Sequence, residues 1–453
     1  MKLFQDKVFN KKLNSLVIPI AFQQFMLNLM SMSDAVMLGA ISQSELSAVS
    51  LAGQVQFVLS LFLTAITIGT SIFAAQYYGK RDYDSIEKIF AIALRTALFI
   101  AALFSLCTFL FSNSIMELFT SEETLILLGA EYLRTASPSY LFCGISQVYL
   151  CIMKNCGKAT KSTIISSGCV ILDAILNALL IFGLFGFPKM SIAGAALSTT
   201  VSKLLETCWA ILALTKDKEI KLRPSYLIHA DKALQSDYWK YTFPVFGNEI
   251  IWGVGFTMSS VIMGHLGNDA TAANSIANIT KNLVVCFCIG IANGGGILIG
   301  NELGAGNLET AKEYGRRICH LAILFGIISG IIILILNPII LGFVNLTETA
   351  HRYLKWMLYI CSYYIIGKSI NCATIAGIFC AGGDSKFGFI CDAIVMWCII
   401  VPIGLLSAFI LKLPVTVVYF LICLDEFLKI PAVYKHYKKY IWLKDLTIKE
   451  NES

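Results

Sequence analysis

Four polar residues lie inside apolar runs of this sequence, where their side chains could together bind a cation. They are Asp34 in the run LMSMSDAVMLGA (29–40), Asp173 and Asn177 in a second run, and Thr199 in a third. A charged side chain at the centre of a bilayer helix costs about 2.5–3.5 kcal/mol on insertion scales. Asp173 and Asn177 are one helical turn apart and therefore share a face. If that face meets Asp34, two carboxylates, an amide and a hydroxyl converge.

These residue types leave the identity of the cation open. Burial and a neighbouring carboxylate both favour the protonated form of a carboxyl group, so a proton could bind near neutral pH and leave when the site opens to water. Oxygen ligands also suit a hard cation such as Na+, which Asp34, Asp173 and Asn177 could hold. No other metal and no organic cofactor is predicted. The alternative is that both carboxylates only hydrogen-bond neighbouring helices.

The second half of the chain carries polar candidates of its own. Together with one glutamine near the start, the candidate substrate contacts are Gln23, Glu249, Trp252, Lys368 and Asp392. Lys368 is expected to pair with an acid, because an unpaired ammonium in hydrocarbon is costly. Trp252 could stack on a cationic compound or serve only in packing. Lys203 and Glu206 are expected to form a local pair near the rim of a cavity.

Two prolines, Pro19 and Pro244, stand early in predicted helices of the two halves. Proline removes a backbone hydrogen bond and can kink a helix. Each proline is therefore expected to be either a functional hinge or a static kink. Gln23 lies about one turn beyond Pro19, and the helical repeat puts it on the same broad face as Asp34.

The composition places the chain in a membrane. Of its 453 residues, 57% are hydrophobic and 14% are charged, whereas soluble domains are roughly 25% charged and 45–50% apolar. The net charge of +6 does not indicate a nucleic-acid partner, because the basic residues concentrate in alternate connections. The fifteen cysteines lie mostly in apolar runs, where cysteine acts as a small apolar filler.

Twelve apolar stretches approach the roughly 20 residues that a spanning helix needs. They are residues 15–39, 47–71, 90–112, 127–151, 161–185, 191–214, 239–264, 272–299, 315–344, 352–379, 387–411 and 414–434. Basic residues concentrate in the even-numbered connections and in the C-terminal tail. The positive-inside rule therefore predicts that both termini are cytoplasmic, and a bacterial-type plasma (inner) membrane is the expected location.

An internal repeat relates the two halves at an offset of 225 residues, which brings Pro19 onto Pro244 and Gly79 onto Gly304. Six spans in each half give both halves the same orientation, a parallel repeat. We therefore predict an all-α integral membrane protein of two six-helix bundles. The predicted domains are an N-terminal lobe (1–215), a cytoplasmic linker (216–238) and a C-terminal lobe with a short tail (239–453).

The duplication favours a transporter with a cavity between two lobes that works by alternating access. At the same offset, Ser259 occupies the place of Asp34. The two lobes are thus chemically distinct, and the N-terminal lobe is the preferred cation site.

The opening helix, with Pro19, Asp34 and the glycine of MLG (37–39), resembles that of the multidrug and toxic compound extrusion (MATE) transporters. Other similar segments are GTSIFAAQYYGKRD (69–82), ILNALLIFG (175–183), AGAALSTTVSKLLE (193–206), PVFGNEIIWGVG (244–255) and GIFCAGGDSKFGFICD (377–392). The resemblance spans nearly the whole chain. It implies a V-shaped pair of six-helix bundles that exports organic, often cationic compounds against an inward flow of H+ or Na+. One departure is that Asp173 precedes Asn177, whereas one branch of the family has the reverse order.

The lead interpretation is a secondary antiporter for drugs or metabolites. Its expected partners are the lipid bilayer and a small organic substrate, with no nucleic acid, and the chain is expected to be a monomer. The alternative is a flippase for a lipid or a lipid-linked oligosaccharide, which would favour a basic cavity. An enzyme is not predicted, because neither HExxH nor GxSxG occurs. A passive channel would be excluded by transport against a gradient.

Overall fold

The computed structural model describes residues 6–217, 219–221, 223–228, 231–344 and 346–448, and helices account for most of them. The helices of the first half are α1 (Lys7–Gly39), α2 (Gln43–Lys80), α3 (Tyr83–Leu110), α4 (Ser112–Glu117), α5 (Glu123–Asn155), α6 (Ala159–Phe182), α7 (Ser191–Thr215) and α8 (Pro224–Ile228). A short 3-10 turn, Leu184–Gly186, follows α6. No strand occurs among the described residues.

The second half continues in the same way but is less regular towards its end. Its α-helices are α9 (Lys232–His265), α10 (Asn268–Gly304), α11 (Leu308–Phe343), α12 (Glu348–Asn371), α13 (Ser385–Asp392), α14 (Val401–Leu405), α15 (Val415–Ile422) and α16 (Asp425–Tyr437). Three π-helical stretches, Cys372–Phe379, Ala393–Ile400 and Leu406–Ile410, interrupt the α-helical pattern. Such wide turns are rare and often occur at functional sites.

Helix ends are set by local chemistry. The Asp82 carboxylate accepts a hydrogen bond from the Ser85 backbone N–H and caps the start of α3, as Thr347 does for Ala350 at the start of α12. Gly183 ends α6 with a φ of 70°, a left-handed conformation that glycine adopts without steric cost.

Among the described residues, ten helical segments are long and apolar enough to cross a membrane. They are α1, α2, α3, α5, α6, α7, α9, α10, α11 and the run Ser385–Ile410. The two other predicted spans, 352–379 and 414–434, also coincide with helix, since α12 leads into a π-helical stretch and α15 precedes α16. The predicted all-α membrane class is confirmed.

The described chain divides into two compact units. Unit 1 holds Met1–Gln24, Ala75–Arg81 and Trp239–Ser453, and unit 2 holds Phe25–Ala74 and Asp82–Tyr238, each as far as it is described. Helices α1 and α2 therefore each contribute residues to both units.

Unit 1 contains a close contact between the ends of α2 and α10, which occupy equivalent places in the internal repeat. A Cβ atom on Gly79 would lie 1.9 Å from the Asn301 carbonyl oxygen, and one on Gly304 would lie 1.8 Å from the Gln76 carbonyl oxygen. Both pairs are related by the 225-residue offset. The ends of α2 and α10 can approach this closely only because neither glycine has a side chain.

The residues after α16 pack on the same part of unit 1. The Gln76 amide donates to the carbonyl oxygens of Ala381 (2.7 Å) and Lys444 (3.2 Å), and its own oxygen accepts from the Leu446 N–H at 2.7 Å. Trp442 is fully buried. The tail therefore completes the core of unit 1.

The predicted linker, 216–238, lies in unit 2, and its residues 218, 222, 229 and 230 are outside the described residues. Its Lys221 N–H donates to Glu87 at 3.0 Å, and Asp217 pairs with Lys158. Burial raises the pKa of Asp217, but hydrogen bonds from Lys158 and the Glu219 N–H outweigh it and hold the pKa below its usual value. Asp217 is therefore charged at neutral pH.

Candidate functional site

The polar residues of α1 and α6 meet within unit 2. The Asn177 side-chain amide donates one hydrogen bond to Asp34 Oδ1 at 2.7 Å and another to Asp173 Oδ2 at 3.1 Å. Asp173 and Asn177 are fully buried, and Asp34 is partly buried. One amide group thus bridges two carboxylates that are 139 positions apart in the sequence.

Several oxygen atoms around this bridge can still accept a hydrogen bond or bind a cation. In the described part of the chain, Asp173 Oδ1 and Asn177 Oδ1 are buried without a hydrogen-bond partner, and the hydroxyl groups of Ser202 and Thr199 lie close to Asp173. The hydroxyl of buried Thr199 donates to the Ala195 carbonyl oxygen at 3.1 Å, which leaves its oxygen able to accept. This all-oxygen set suits a proton or a hard cation such as Na+.

A small cleft beside Asp173 contains a buried ion pair. Asp173, Ser202, Lys203 and Glu206 contribute to its lining. Lys203 Nζ lies 2.9 Å from Glu206 Oε2, and the two side chains are 7% and 1% exposed. The pair is therefore buried inside the unit, whereas the sequence suggested a position at a cavity rim.

Gln23, the other candidate residue on α1, does not belong to the unit that holds Asp34. Gln23 is 2% exposed and belongs to unit 1, whereas Asp34 belongs to unit 2. The division falls between Gln24 and Phe25 within the continuous helix α1, shortly after Pro19. Pro244 also lies inside a continuous helix, α9.

Unit 1 contains a buried network of ion pairs on α12, α13 and α16. Lys368 Nζ lies 3.1 Å from Glu426 Oε1, and Lys429 Nζ lies 2.7 Å from Asp392 Oδ1. Lys429 also lies 3.8 Å from Glu426 and 3.9 Å from Asp425. Sequence reasoning identified Lys368 and Asp392 but missed the three residues on α16.

Neutral amides complete this network. Asn371 donates to the Glu426 carboxylate at 2.8 Å, and Asn248 donates to Asp392 at 2.8 Å. Glu249 interacts electrostatically with both Lys368 and Asp392. The sequence could have indicated the residues on α16 by the spacing of Asp425, Glu426 and Lys429 in the last predicted span. Charges three or four residues apart share one face of a helix.

Aromatic rings accompany the lysines of unit 1. Lys368 Nζ lies 5.0 Å from the centre of the Trp252 ring, and Lys281 Nζ lies 5.0 Å from Tyr364 and 5.7 Å from Phe256. These distances are within the range of a cation–π interaction. Trp252 thus contacts a lysine of its own chain, and Lys281 is a further residue that sequence reasoning missed.

Comparisons with known proteins agree with the sequence pattern. The MatE family model matches residues 19–179 and 244–421. The uncharacterized transporter YisQ of Bacillus subtilis is 22% identical over 441 residues, which are 97% of this chain and 96% of YisQ. The probable multidrug resistance protein NorM of Bacillus cereus is 25% identical over 415 residues, which are 89% and 90% of the two chains.

Solved structures of MATE proteins have the same fold. A MATE crystal structure in the straight conformation superposes with a TM-score of 0.87 at 15% identity and covers 97% of each chain. One in the bent conformation gives 0.84 at 15% identity, covering 96% of this chain and 95% of the other. Because the family model matches well over half of the sequence, the chain belongs to the MATE family and is a membrane transporter rather than an enzyme.

Proposed function

We propose that this protein exports amphipathic organic compounds, often cationic drugs or metabolites, in exchange for H+ or Na+ by alternating access. The observation that carries the proposal is the amide of Asn177, which holds Asp34 and Asp173 together inside unit 2. Two carboxylates in one buried site repel each other unless a proton or a cation binds between them. Asp34, Asp173, Asn177 and Thr199 are the proposed coupling residues.

The proposed transport cycle uses helix bending. Helix α1 carries Pro19 close to the point where its residues pass from unit 1 to unit 2. Proline weakens a helix locally because it removes one backbone hydrogen bond. A bend near Pro19 would change the environment of Asp34, which lies further along α1, and a corresponding bend is proposed near Pro244 in α9.

The proposed setting is the plasma membrane, in which the protein is a monomer with both termini cytoplasmic. Basic residues in alternate connections support this orientation. The proposed lobes are 1–215 and 239–453, joined by a cytoplasmic linker, 216–238. A reporter active only in the cytoplasm, fused after the last residue, should be active, and an inactive reporter would contradict the orientation.

Dye efflux from energised proteoliposomes tests the coupling. Wild type and Asp34→Asn are compared under an imposed pH gradient in sodium-free buffer and under an imposed Na+ gradient at uniform pH. We expect Asp34→Asn to lose gradient-driven efflux while still binding dye, and we expect Glu309→Gln, at an exposed position of α11, to behave as wild type. Undiminished coupling in Asp34→Asn would refute the role of Asp34. The gradient that drives the wild type identifies the ion.

A further inference from the structure

Lys281 is a lysine deep inside an apolar helix. It lies nine residues after the start of the predicted span 272–299, about 14 Å along the helix axis. That is further than a lysine side chain extends, so its ammonium group cannot reach the near membrane surface by snorkelling. Ionisable residues at such depth face the protein interior or a water-filled cavity and usually mark a pathway for a solute.

The ammonium of Lys281 has no carboxylate within ion-pair distance in the described part of the chain. It differs in this respect from Lys368 and Lys429 of the same unit, which pair with Glu426 and Asp392. The charges of Lys368 and Lys429 are neutralised by carboxylates of the protein. The charge of Lys281 is not neutralised in this way and can pair with an anionic group of a bound molecule.

The helix that carries Lys281 also presents a row of amides. Asn274, Asn278 and Lys281 stand at positions i, i+4 and i+7 of α10, which fall on one face of a helix. Asn278 donates to the Asn274 side-chain oxygen at 3.3 Å. The amide N–H groups and the ammonium on this face can donate to an anionic group, which can only accept hydrogen bonds.

Aromatic rings extend from this polar face. Lys281 Nζ lies over both Tyr364 and Phe256. The Phe256 ring stacks on Trp252, with centroids 5.7 Å apart and an angle of 14° between the planes. Lys281, Phe256 and Trp252 thus form a continuous series of contacts in unit 1, with the unpaired charge of Lys281 at one end and Lys368, whose charge is paired with Glu426, over Trp252 at the other.

We propose that Lys281 binds an anionic group of the transported compound, while an aromatic ring of that compound packs against Phe256 and Trp252. This inference rests on the proposed export function and specifies that the organic substrate carries an anionic group. The substrate is an aromatic compound with a carboxylate, sulfonate or phosphate group, and it includes zwitterions that carry a separate amine. An anionic lipid headgroup has the same charge chemistry but lacks the aromatic ring.

A binding assay with a matched ligand pair tests the assignment. Dansyl-glycine and its methyl ester share one aromatic ring system and differ in the carboxylate. Binding to the purified protein in nanodiscs of neutral phosphatidylcholine is followed by dansyl fluorescence, without any ion gradient. We expect Lys281→Met to weaken dansyl-glycine binding about tenfold or more and to leave ester binding unchanged.

Further variants distinguish loss of the Lys281 charge from a folding defect. Lys281→Arg keeps the charge and should bind dansyl-glycine within about threefold of wild type. Lys281→Gln keeps a polar side chain and should show the same selective loss as Lys281→Met, so that a folding defect in the methionine variant does not decide the result. Lys312→Met is the control, because Lys312 also lies over an aromatic ring, Tyr440, at 4.6 Å.

Three results would overturn the assignment. In the first two, Lys281→Met weakens binding of dansyl-glycine and of its ester equally, or weakens neither. In the third, Lys281 affects the response to phosphatidylglycerol nanodiscs but not dansyl-glycine binding, which would assign a lipid headgroup instead. Because no gradient is applied, the outcome does not depend on ion coupling. Failure of Asp34→Asn to uncouple transport would count against the export mechanism alone.

Discussion

The ion pair of Lys203 and Glu206 is buried beside Asp173, and removal of one of its charges should lower the stability of the protein. The two side chains are 7% and 1% exposed and their charged atoms are 2.9 Å apart. Glu206 Oε1 has no hydrogen-bond partner among the described residues. Removal of either charge therefore leaves the other buried without its nearest partner, and only the more distant charges of Asp173 near Lys203 and Lys154 near Glu206 remain.

The expected magnitude follows from that burial. Truncation of one member of a buried ion pair costs about 3–5 kcal/mol in the free energy of unfolding, whereas replacement of both members by apolar residues of similar size is often neutral or stabilising. At about 1.4 kcal/mol per power of ten, Lys203→Met alone should lower the folding equilibrium constant by roughly two to four powers of ten. Lys203→Met with Glu206→Leu should recover most of that loss.

Denaturant unfolding of the purified protein in detergent, followed by circular dichroism, measures these differences. The matched control is Arg316→Met, since Arg316 and Glu313 form a pair of the same three-residue spacing on α11, with side chains 66% and 36% exposed. Exposed pairs contribute about 0–1 kcal/mol, so this variant should unfold almost as wild type does. A loss below 1 kcal/mol in Lys203→Met would refute the reasoning, because it would mean that the pair is hydrated. A double variant as unstable as the sum of the losses in Lys203→Met and in Glu206→Leu, each measured alone, would refute the pairing itself.

Two other positions, the Asn177 amide and the Gly304 helix contact, give further predictions. Asn177→Leu removes the bridge from Asp34 to Asp173 and should reduce gradient-driven efflux by about tenfold or more, because a charge-assisted hydrogen bond contributes about 1.5–3 kcal/mol. Asn337→Leu, which removes another buried amide, should retain efflux. Gly304→Ala would place a Cβ atom 1.8 Å from the Gln76 carbonyl oxygen and should lower the midpoint of thermal unfolding, whereas Gly264→Ala meets no atom within 4 Å and should not. Equal midpoints would contradict the close contact of α2 with α10.

The sequence predicted the helical class and part of the candidate site. Asp173 and Asn177 share a face because helical periodicity requires it, and the structure brings that face to Asp34. The contact itself could not be derived, because periodicity fixes the direction of a side chain on its own helix and not which other helix it meets. Lys281 was overlooked for a related reason. One lysine barely lowers the apolar character of a long span, and its surroundings depend on tertiary packing.

The irregular end of unit 1 was harder still to predict. The π-helical stretch Cys372–Phe379 shifts the helical phase after Lys368, so a face extrapolated from a uniform repeat of 3.6 residues is wrong beyond Asn371. The partners of Lys368 and Asp392 lie on α16, in the last predicted span. Sequence alone predicted that Lys368 needs an acid, but several acids satisfied that requirement equally well.

The internal repeat separates residues that build the scaffold from residues that carry chemistry. The glycines and prolines at the helix contact and the proposed bends occur at equivalent places in both halves: Gly79 and Gly304, and Pro19 and Pro244. The polar residues of the candidate cation and substrate sites do not. At the same offset, Asp34 corresponds to Ser259, Asp173 to Cys398, Asn177 to Pro402, Lys368 to Cys143 and Lys281 to Gln56. A duplicated fold that needed these charges for packing would keep them in both copies, because the packing is repeated. Their presence in only one copy supports the two proposals made above, cation coupling in the first half and substrate binding in the second.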